Sequence, residues 1–191
     1  MDNTKIYVGL DLGTTVIRAI IGEAVNDQLN IIGIGSERSQ GIRAGSIVDI
    51  DKVVSAVQSA LKQAQEKANV EIHEVIVGLP PLELSIESAK GMVMIGNQPQ
   101  DITDTDVEQI GAATLMRKMP PDREVVSLTT LQFSVDGQSG ITDPRGMQGM
   151  RLELEALLYS VPKMLVVNIR KVLQRLNLNL RHFVLSPLGL S

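Results

Sequence analysis

Near the N-terminus, one short stretch combines a carboxylate, a glycine and two hydroxyl groups. Asp11, Gly13, Thr14 and Thr15 follow directly on an apolar run. A glycine allows backbone to approach closely, and successive backbone N–H groups beside hydroxyls suit the oxygen atoms of a phosphate. The same residue types are also common in ordinary hairpin turns. The stretch by itself therefore leaves two interpretations open, a phosphate-binding turn and a purely structural one.

The surrounding sequence predicts the elements that would position this turn. Apolar, β-branched runs separated by turn residues predict a three-strand meander, with strands at Lys5–Asp11, Val16–Glu23 and Leu29–Ser36. Helical spacing of apolar residues predicts a helix capped by Asp49 or Asp51. The apolar run Glu74–Leu79 is typical of a buried parallel strand. Together these elements predict an α/β unit, with the turn at the end of its first strand.

A different pattern begins after the prolines at 80 and 81. We predict a boundary at Pro80–Leu84, a strand at Ser85–Ile95 and a helix that starts with a capping box of Thr103 and Asp106. Its packed face would carry Val107, Ile110, Thr114 or Ala113, and Met116. Two alternating strands follow, near 126–135 and 151–159, separated by a predicted loop at 136–149. This order, strand-helix-strand-strand, predicts a small α+β insert.

In the first of those two strands, alternation predicts two faces. Val126, Leu128, Thr130 and Gln132 would lie on one face, and Leu131, Phe133 and Val135 on the other. After the insert the α/β pattern returns, with a helix whose first turn contains Pro162 and a strand at Leu180–Leu185. The predicted organisation is therefore one domain made of residues 1–84 and 162–191, interrupted by an insert at 85–161.

Composition excludes several classes of function. The net charge is −4 and aromatic residues make up 2%, which argues against a nucleic-acid-binding surface. The chain has no cysteine, so it has neither a disulfide nor a thiolate metal site. The acidic run from Asp101 lacks the glycine and glutamate of a calcium loop, since Asp106 and Ala112 stand at those positions. With no apolar run of membrane-spanning length, the expected location is the cytoplasm.

Several segments together resemble the FtsA family, the bacterial cell-division homologues of actin. They are Gly9–Thr14, Asn30–Gly35, Gly41–Arg43, Gly45–Asp51, Asp143–Pro144 and Gly149–Glu153. The resemblance implies an actin-like (ribonuclease H-like) α/β subdomain 1A, at 1–84 and 162–191, with an inserted α+β subdomain 1C. In such proteins ATP binds in the cleft, the protein polymerises, and it tethers filaments of the tubulin-like FtsZ to the inner face of the membrane.

The resemblance also implies roles for individual residues. Asp11, Gly13, Thr14 and Thr15 would contact the phosphates of ATP, Asp11 would face Mg²⁺ through water, and Arg18 is a further candidate for the phosphate site. The insert from Ser85 to Ser160 would mediate self-association and recruit later division proteins. In the family, the second phosphate loop, the 2A and 2B subdomains and the C-terminal membrane helix follow this region. The resemblance therefore implies an N-terminal fragment that binds ATP weakly or not at all and is inactive as an ATPase.

Two other classes share the phosphate turn. One comprises the sugar kinases and the Hsp70-like ATPases, and the other comprises the actin homologues of pilus assembly and ethanolamine utilisation. The segment Gly45–Asp51 distinguishes best among these classes, and it favours FtsA.

Overall fold

The structure is a computed structural model that describes residues 5–26, 28–80, 84–116 and 120–185. The chain divides into two compact units. Unit 1 is Met1–Leu84 with Pro162–Ser191, and unit 2 is Ser85–Val161. Pro81, part of the predicted boundary, lies outside the described residues. No helix in these described ranges is both long enough and apolar enough to cross a bilayer.

Unit 1 is an α/β unit built on a mixed sheet. Its elements are β1 (Lys5–Leu12), β2 (Val16–Val25), β3 (Gln28–Arg38), β4 (Ile42–Arg43), β5 (Ser46–Ile47), α1 (Ile50–Ala68), β6 (Glu74–Leu79), α3 (Lys163–Arg175) and β13 (Asn179–Leu185). The sheet order is β13-β6-β1-β2-β3, with β4 and β5 forming a separate small hairpin. Strands β1, β2 and β3 are antiparallel, whereas β6 runs parallel to both β1 and β13. The predicted meander and the parallel strand are confirmed.

Helix α1 packs directly on β2 and β3. Its N-terminus is capped by Asp49, whose side chain accepts a hydrogen bond from the Lys52 N–H. Its buried stripe is almost entirely small or β-branched: Val53, Ala56, Val57, Ala60, Leu61 and Ala64. The contact is close because β3 presents two glycines to the helix. A Cβ on Gly33 would lie 2.4 Å from the Ala64 carbonyl oxygen, and a Cβ on Gly35 would lie 1.9 Å from that of Ala60.

The start of α3 differs from the prediction. Pro162 was expected in the first helical turn, but it is the last residue of β12 (Arg151–Pro162) and the helix begins at Lys163. Proline has no N–H to donate, and the residue just before a helix needs none for the helical ladder, so Pro162 is compatible with this position. The buried face of α3 is the predicted one, formed by Leu165, Val166, Ile169, Val172 and Leu173.

Unit 2 has a four-stranded sheet with one helix against it. Its elements are β7 (Ser85–Met94), β8 (Gln100–Asp101), α2 (Asp104–Leu115), β9 (Arg123–Val135), β10 (Gln138–Ile141), β11 (Gln148–Gly149) and β12. The sheet order is β10-β9-β12-β7, and β8 pairs with β11. The predicted order of strand, helix, strand and strand is confirmed.

The predicted loop at 136–149 is wrong in part, because it contains β10 and β11. Asp136 and Gly137 both have positive φ, 48° and 89°, and Val135 pairs with Gln138 across them. This is the two-residue hairpin for which an Asp-Gly pair is a strong signal, and the flanking glycines obscured it. Within the same segment, β11 pairs with β8 (Gln100–Asp101), a short strand that was not predicted either.

Two predicted faces in unit 2 are also wrong. Leu128 and Phe133 contact the same core, although an odd separation places them on opposite faces of a regular strand. Leu131, predicted to share a face with Phe133, is exposed, so the covered part of that face does not extend to it. Met116 was placed on the packed face of α2, but it is 85% exposed, and Ile110 and Thr114 are the buried residues of that helix.

Helix α2 begins with the predicted capping box. The Asp106 carboxylate accepts hydrogen bonds from the Thr103 hydroxyl at 2.6 Å and from the Thr103 N–H at 2.8 Å. These bonds hold the pKa of Asp106 below its ordinary value. Ile102 and Val107 lie on either side of the cap and contact the same core, as a hydrophobic staple requires.

The capping box predicts acid sensitivity. Because the pKa of Asp106 is depressed in the folded state, its contribution to stability is present above the unfolded pKa of about 3.9 and is lost as pH falls through the folded value. We expect the free energy of unfolding to fall with pH below about 4, and to fall less steeply in Asp106→Asn. Urea unfolding at a series of pH values measures both slopes. Identical slopes in the two proteins would contradict this role of Asp106.

Candidate phosphate-binding turn

The turn lies at the edge of the unit 1 sheet where parallel strands end. Strand β1 ends at Leu12, and the parallel strand β6 ends at Leu79. In open α/β sheets, ligands commonly bind outside the carboxyl ends of such strands. The side chains of Thr14 and Thr15 are exposed at this edge. The predicted turn residues are therefore together, and they face solvent.

Gly13 is required by the tightness of the turn. A Cβ at this position would lie 2.5 Å from the Val16 carbonyl oxygen, a backbone atom that cannot move without opening the turn. The same Cβ would lie 3.8 Å from the Asp11 carboxylate. Glycine thus allows β1 to reverse into β2 and leaves the Asp11 carboxylate beside the turn.

Arg18 is paired with Asp11 rather than pointing elsewhere. The two residues lie opposite each other in the antiparallel register, and the Arg18 guanidinium is 3.6 Å from the Asp11 carboxylate. The two side chains are 54% and 47% exposed, so solvent screens the pair and its contribution to stability is at most about 1 kcal/mol. A weak pair can open, which leaves a cation and a carboxylate available to a ligand at the same place.

The Thr14 hydroxyl has a partner that is distant in sequence. It accepts a hydrogen bond from the Gly45 N–H at 3.3 Å, at the tip of the β4–β5 hairpin. Ala44 and Gly45 both have positive φ, which gives this hairpin a tight two-residue tip. A hydroxyl that accepts one bond keeps its own proton as a donor. Thr14 is thereby held in place with a donor free to bind an anion.

Gly45 is a site residue that motif reasoning did not identify. The segment Gly41–Ile47, which contains two glycines, forms a short hairpin. The sequence signal was weak, because the tip needs positive φ at both central residues and alanine rarely adopts it, so only Gly45 favours this turn. What the sequence could not indicate was that this turn reaches the phosphate turn.

The donor set fits a magnesium-bound phosphate in part. Asp11 supplies a half-exposed carboxylate, the kind of ligand that Mg²⁺ binds directly or through its retained waters. Among the described residues no three acidic or histidine side chains converge on one point. The turn therefore offers one carboxylate for a metal whose other ligands are phosphate and water, and backbone N–H groups and hydroxyls that can donate to the phosphate.

The described part of the insert carries exposed apolar side chains on one strand and one helix. Ile86, Met92 and Met94 are exposed on one face of β7, and Leu115 and Met116 are exposed at the end of α2. A salt bridge joins Lys90 of the same strand to Glu155 of β12 at 3.4 Å. An apolar surface of this kind suits contact with another protein better than chemistry.

Comparison with solved structures defines the class of protein. A chain of the PilM–PilN type IV pilus biogenesis complex superimposes with a TM-score of 0.60, covering 95% of this chain and 47% of that one. The two sequences are 10% identical, so the likeness shows the fold alone. The fold is the actin-like one, as predicted. Residues 83–160 match the family model of the SHS2 domain inserted in FtsA.

Sequence relatives then give the family. The chain is 46% identical to the cell division protein FtsA of Enterococcus hirae, over 100% of this chain and 43% of the relative. It is 41% identical to FtsA of Streptococcus pneumoniae and 35% identical to FtsA of Bacillus subtilis, again along nearly all of its length. The chain belongs to the FtsA family, and it spans less than half of the length of these relatives.

Proposed function

We propose that the protein acts in bacterial cell division, and that the turn Asp11–Thr15 binds the phosphates of Mg-ATP in the longer protein. The observation that carries the nucleotide site is the geometry of the turn. Gly13 lets the backbone close tightly, Thr14 is held with a free donor, and Asp11 stands beside both. The cell-division role is supported by the names of relatives that match along the whole chain.

The residues have distinct roles in this proposal. Backbone N–H groups at Gly13, Thr14 and Thr15 and the two hydroxyls donate to phosphate oxygens. Asp11 binds Mg²⁺ through water, and Arg18 adds positive charge once its pair with Asp11 opens. Magnesium, when bound, neutralises phosphate charge. ATP binding controls polymerisation, and the polymer tethers FtsZ filaments to the inner face of the membrane as a peripheral protein.

Unit 2 serves protein contacts in this scheme. The insert from Ser85 to Ser160 takes part in self-association and recruits later division proteins. Support comes from the match to the SHS2 domain model and from the exposed apolar side chains on β7 and α2.

We predict a large difference in nucleotide affinity between two lengths of the protein. One phosphate turn clamps the ligand from a single side, so the 191-residue chain is expected to bind Mg-ATP with Kd of about 1 mM or weaker, or roughly −4 kcal/mol. A protein as long as the FtsA relatives, carrying this segment, is expected to bind much more tightly. Isothermal titration calorimetry on both measures the difference.

Two substitutions in the longer protein test the turn itself. Gly13→Ala is expected to weaken ATP binding strongly, because its Cβ overlaps the Val16 carbonyl. Asp11→Asn is expected to remove most of the magnesium dependence while leaving a residual affinity for metal-free ATP. Gly111→Ala, in helix α2 of unit 2, is the control for glycine replacement, because nothing lies within 4 Å of a Cβ at that position. Unchanged affinity in both turn variants would refute the nucleotide site.

A further inference from the structure

Charge is distributed unevenly along the chain. All 22 acidic residues lie at or before Glu155, and the net charge of the whole chain is −4. Residues 156–191 carry five lysine or arginine residues and no aspartate or glutamate. Such asymmetry indicates a surface that meets an anionic partner. Four of the five cations lie within helix α3: Lys163, Arg170, Lys171 and Arg175.

The structure places the charges of α3 on one exposed face. The buried side of the helix is entirely apolar, whereas all four cations are exposed. The positions of Lys163 and Arg175 put the two ends of this basic face about 18 Å apart along the helix. Met164 lies at one end of the same face and is 62% exposed. Helix α3 therefore presents solvent with a basic face and one apolar side chain.

The stability of α3 does not account for this charge pattern. Opposite charges three or four positions apart stabilise a helix, and α1 has such a pair, with Lys62 at 3.9 Å from Glu66. Helix α3 contains no acidic residue, so it forms no pair of this kind. Its first residue is Lys163, at the end where the helix dipole disfavours a cation.

Acidic groups on neighbouring elements neutralise the basic face only in part. The Arg175 guanidinium pairs with the Asp51 carboxylate of α1. The two side chains are 53% and 85% exposed, so solvent screens the pair and another anion can compete for the arginine. Within the described ranges, no carboxylate forms an ion pair with Lys163 or Lys171. At least these two cations are available to a partner.

The arrangement suits an extended anionic surface better than a single anion. The cations are spread along a convex helix and do not converge on one point. Anionic phospholipid headgroups form a broad array of phosphates, and each lysine or arginine held near such a surface strengthens the attraction. Met164, next to Lys163, adds an apolar side chain that can enter the headgroup region.

We propose that the exposed face of α3 binds the headgroups of anionic phospholipids, so that unit 1 itself contacts the membrane surface. The proposal rests on the peripheral membrane location given under the proposed function, and it adds a site for that contact within this chain. Because the apolar side of α3 is packed inside unit 1, the helix lies against the bilayer without inserting into it. Failure of this contact would leave the nucleotide site and the cell-division role standing.

Vesicle sedimentation with the 191-residue chain tests the contact without any other part of the longer protein. We expect binding to vesicles of equal parts phosphatidylglycerol and phosphatidylcholine, and little binding to pure phosphatidylcholine. Binding should weaken as salt is raised, because the Debye length shortens. Equal binding to the two kinds of vesicle, or no binding to anionic vesicles at low salt, would overturn the proposal. So would binding of an oligoglutamate peptide without binding of anionic vesicles, since the partner would then be an acidic protein segment.

Matched substitutions separate the face of α3 from net charge. Lys163→Gln/Lys171→Gln is expected to weaken binding to the anionic vesicles at least about tenfold, because two cations of the face are removed. Lys5→Gln/Lys90→Gln removes the same charge from strands β1 and β7, and is expected to change binding by less than about twofold. Thermal unfolding checks that both variants keep their fold. Equal losses in the two variants would show that net charge, and not α3, controls binding.

Removal of the acidic neighbour tests the face in the opposite direction. Asp51→Asn releases Arg175 and is expected to strengthen binding to the anionic vesicles by about threefold or more. Glu87→Gln, at an exposed position of β7, removes one negative charge elsewhere and is the matched control. Binding that is unchanged in Asp51→Asn, or strengthened equally in Glu87→Gln, contradicts the proposed contact.

Discussion

Gly35→Ala is expected to lower the free energy of unfolding by about 3 kcal/mol, at the upper end of the usual range for overpacking. The added Cβ would lie 1.9 Å from the Ala60 carbonyl oxygen and 2.9 Å from the Ala64 nitrogen. All of the nearest atoms belong to the backbone of α1, so no side chain can rotate away. The helix would have to move off β3, and the small-residue contact along its buried face would be lost with it.

Gly9→Ala is the control for this prediction. Both glycines lie in strands of the same sheet, but nothing lies within 4 Å of a Cβ at Gly9. Since alanine costs less backbone entropy than glycine, Gly9→Ala should be neutral, or more stable by up to about 1 kcal/mol. Urea unfolding followed by circular dichroism measures both variants. Equal stability for Gly9→Ala and Gly35→Ala would show that the close approach of α1 has been misjudged.

Gly91→Ala is expected to destabilise unit 2 by about 2 kcal/mol for a related reason. Its Cβ would lie 2.0 Å from the Thr114 hydroxyl oxygen, which is buried and donates to the Ile110 carbonyl at 2.7 Å. Here the obstructing atom belongs to a side chain, so a second substitution can remove it. We expect Gly91→Ala/Thr114→Ala to recover at least half of the lost stability.

A double-mutant cycle measures this compensation. Thr114→Ala alone is expected to cost about 1 kcal/mol through the lost hydrogen bond. If the clash explains the first effect, the two substitutions couple favourably, by at least about 2 kcal/mol. Strict additivity of the two single variants would mean that Gly91 stabilises unit 2 by some other route, such as its backbone conformation.

Two predictions from the sequence held because they depend on nearby residues. The capping box at Thr103 and Asp106 joins groups three positions apart, so its residue types suffice to indicate it. The strands of unit 1 were recognisable because apolar β-branched runs and turn residues alternate along the chain. The errors arose where the structure departs from the regular alternation of side chains along a strand. Leu128 and Phe133 share one core, which no strand of constant period allows.

The sequence predicted the residue types of the phosphate-binding turn but not the contacts that hold them. Its residue types indicated a phosphate site, and the tight reversal at Gly13 explains why a glycine stands there. The bond from Gly45 to the Thr14 hydroxyl spans 31 positions, so no motif spacing could indicate it. The pairing of Arg18 with Asp11 needed the strand register, which placed the two residues directly opposite each other.

The two glycines of the Ile-Ile-Gly-Ile-Gly segment, Gly33 and Gly35, show the same difference between what the sequence and what the tertiary structure determine. The sequence by itself determined the strands, the helices, the insert between them and the family, because these depend on local periodicity and on segments that can be compared one by one. It did not show why Gly33 and Gly35 stand in a strand that otherwise favours bulky residues. Only the tertiary structure decided that, because α1 lies on β3 at those two positions and its backbone occupies the space of a side chain.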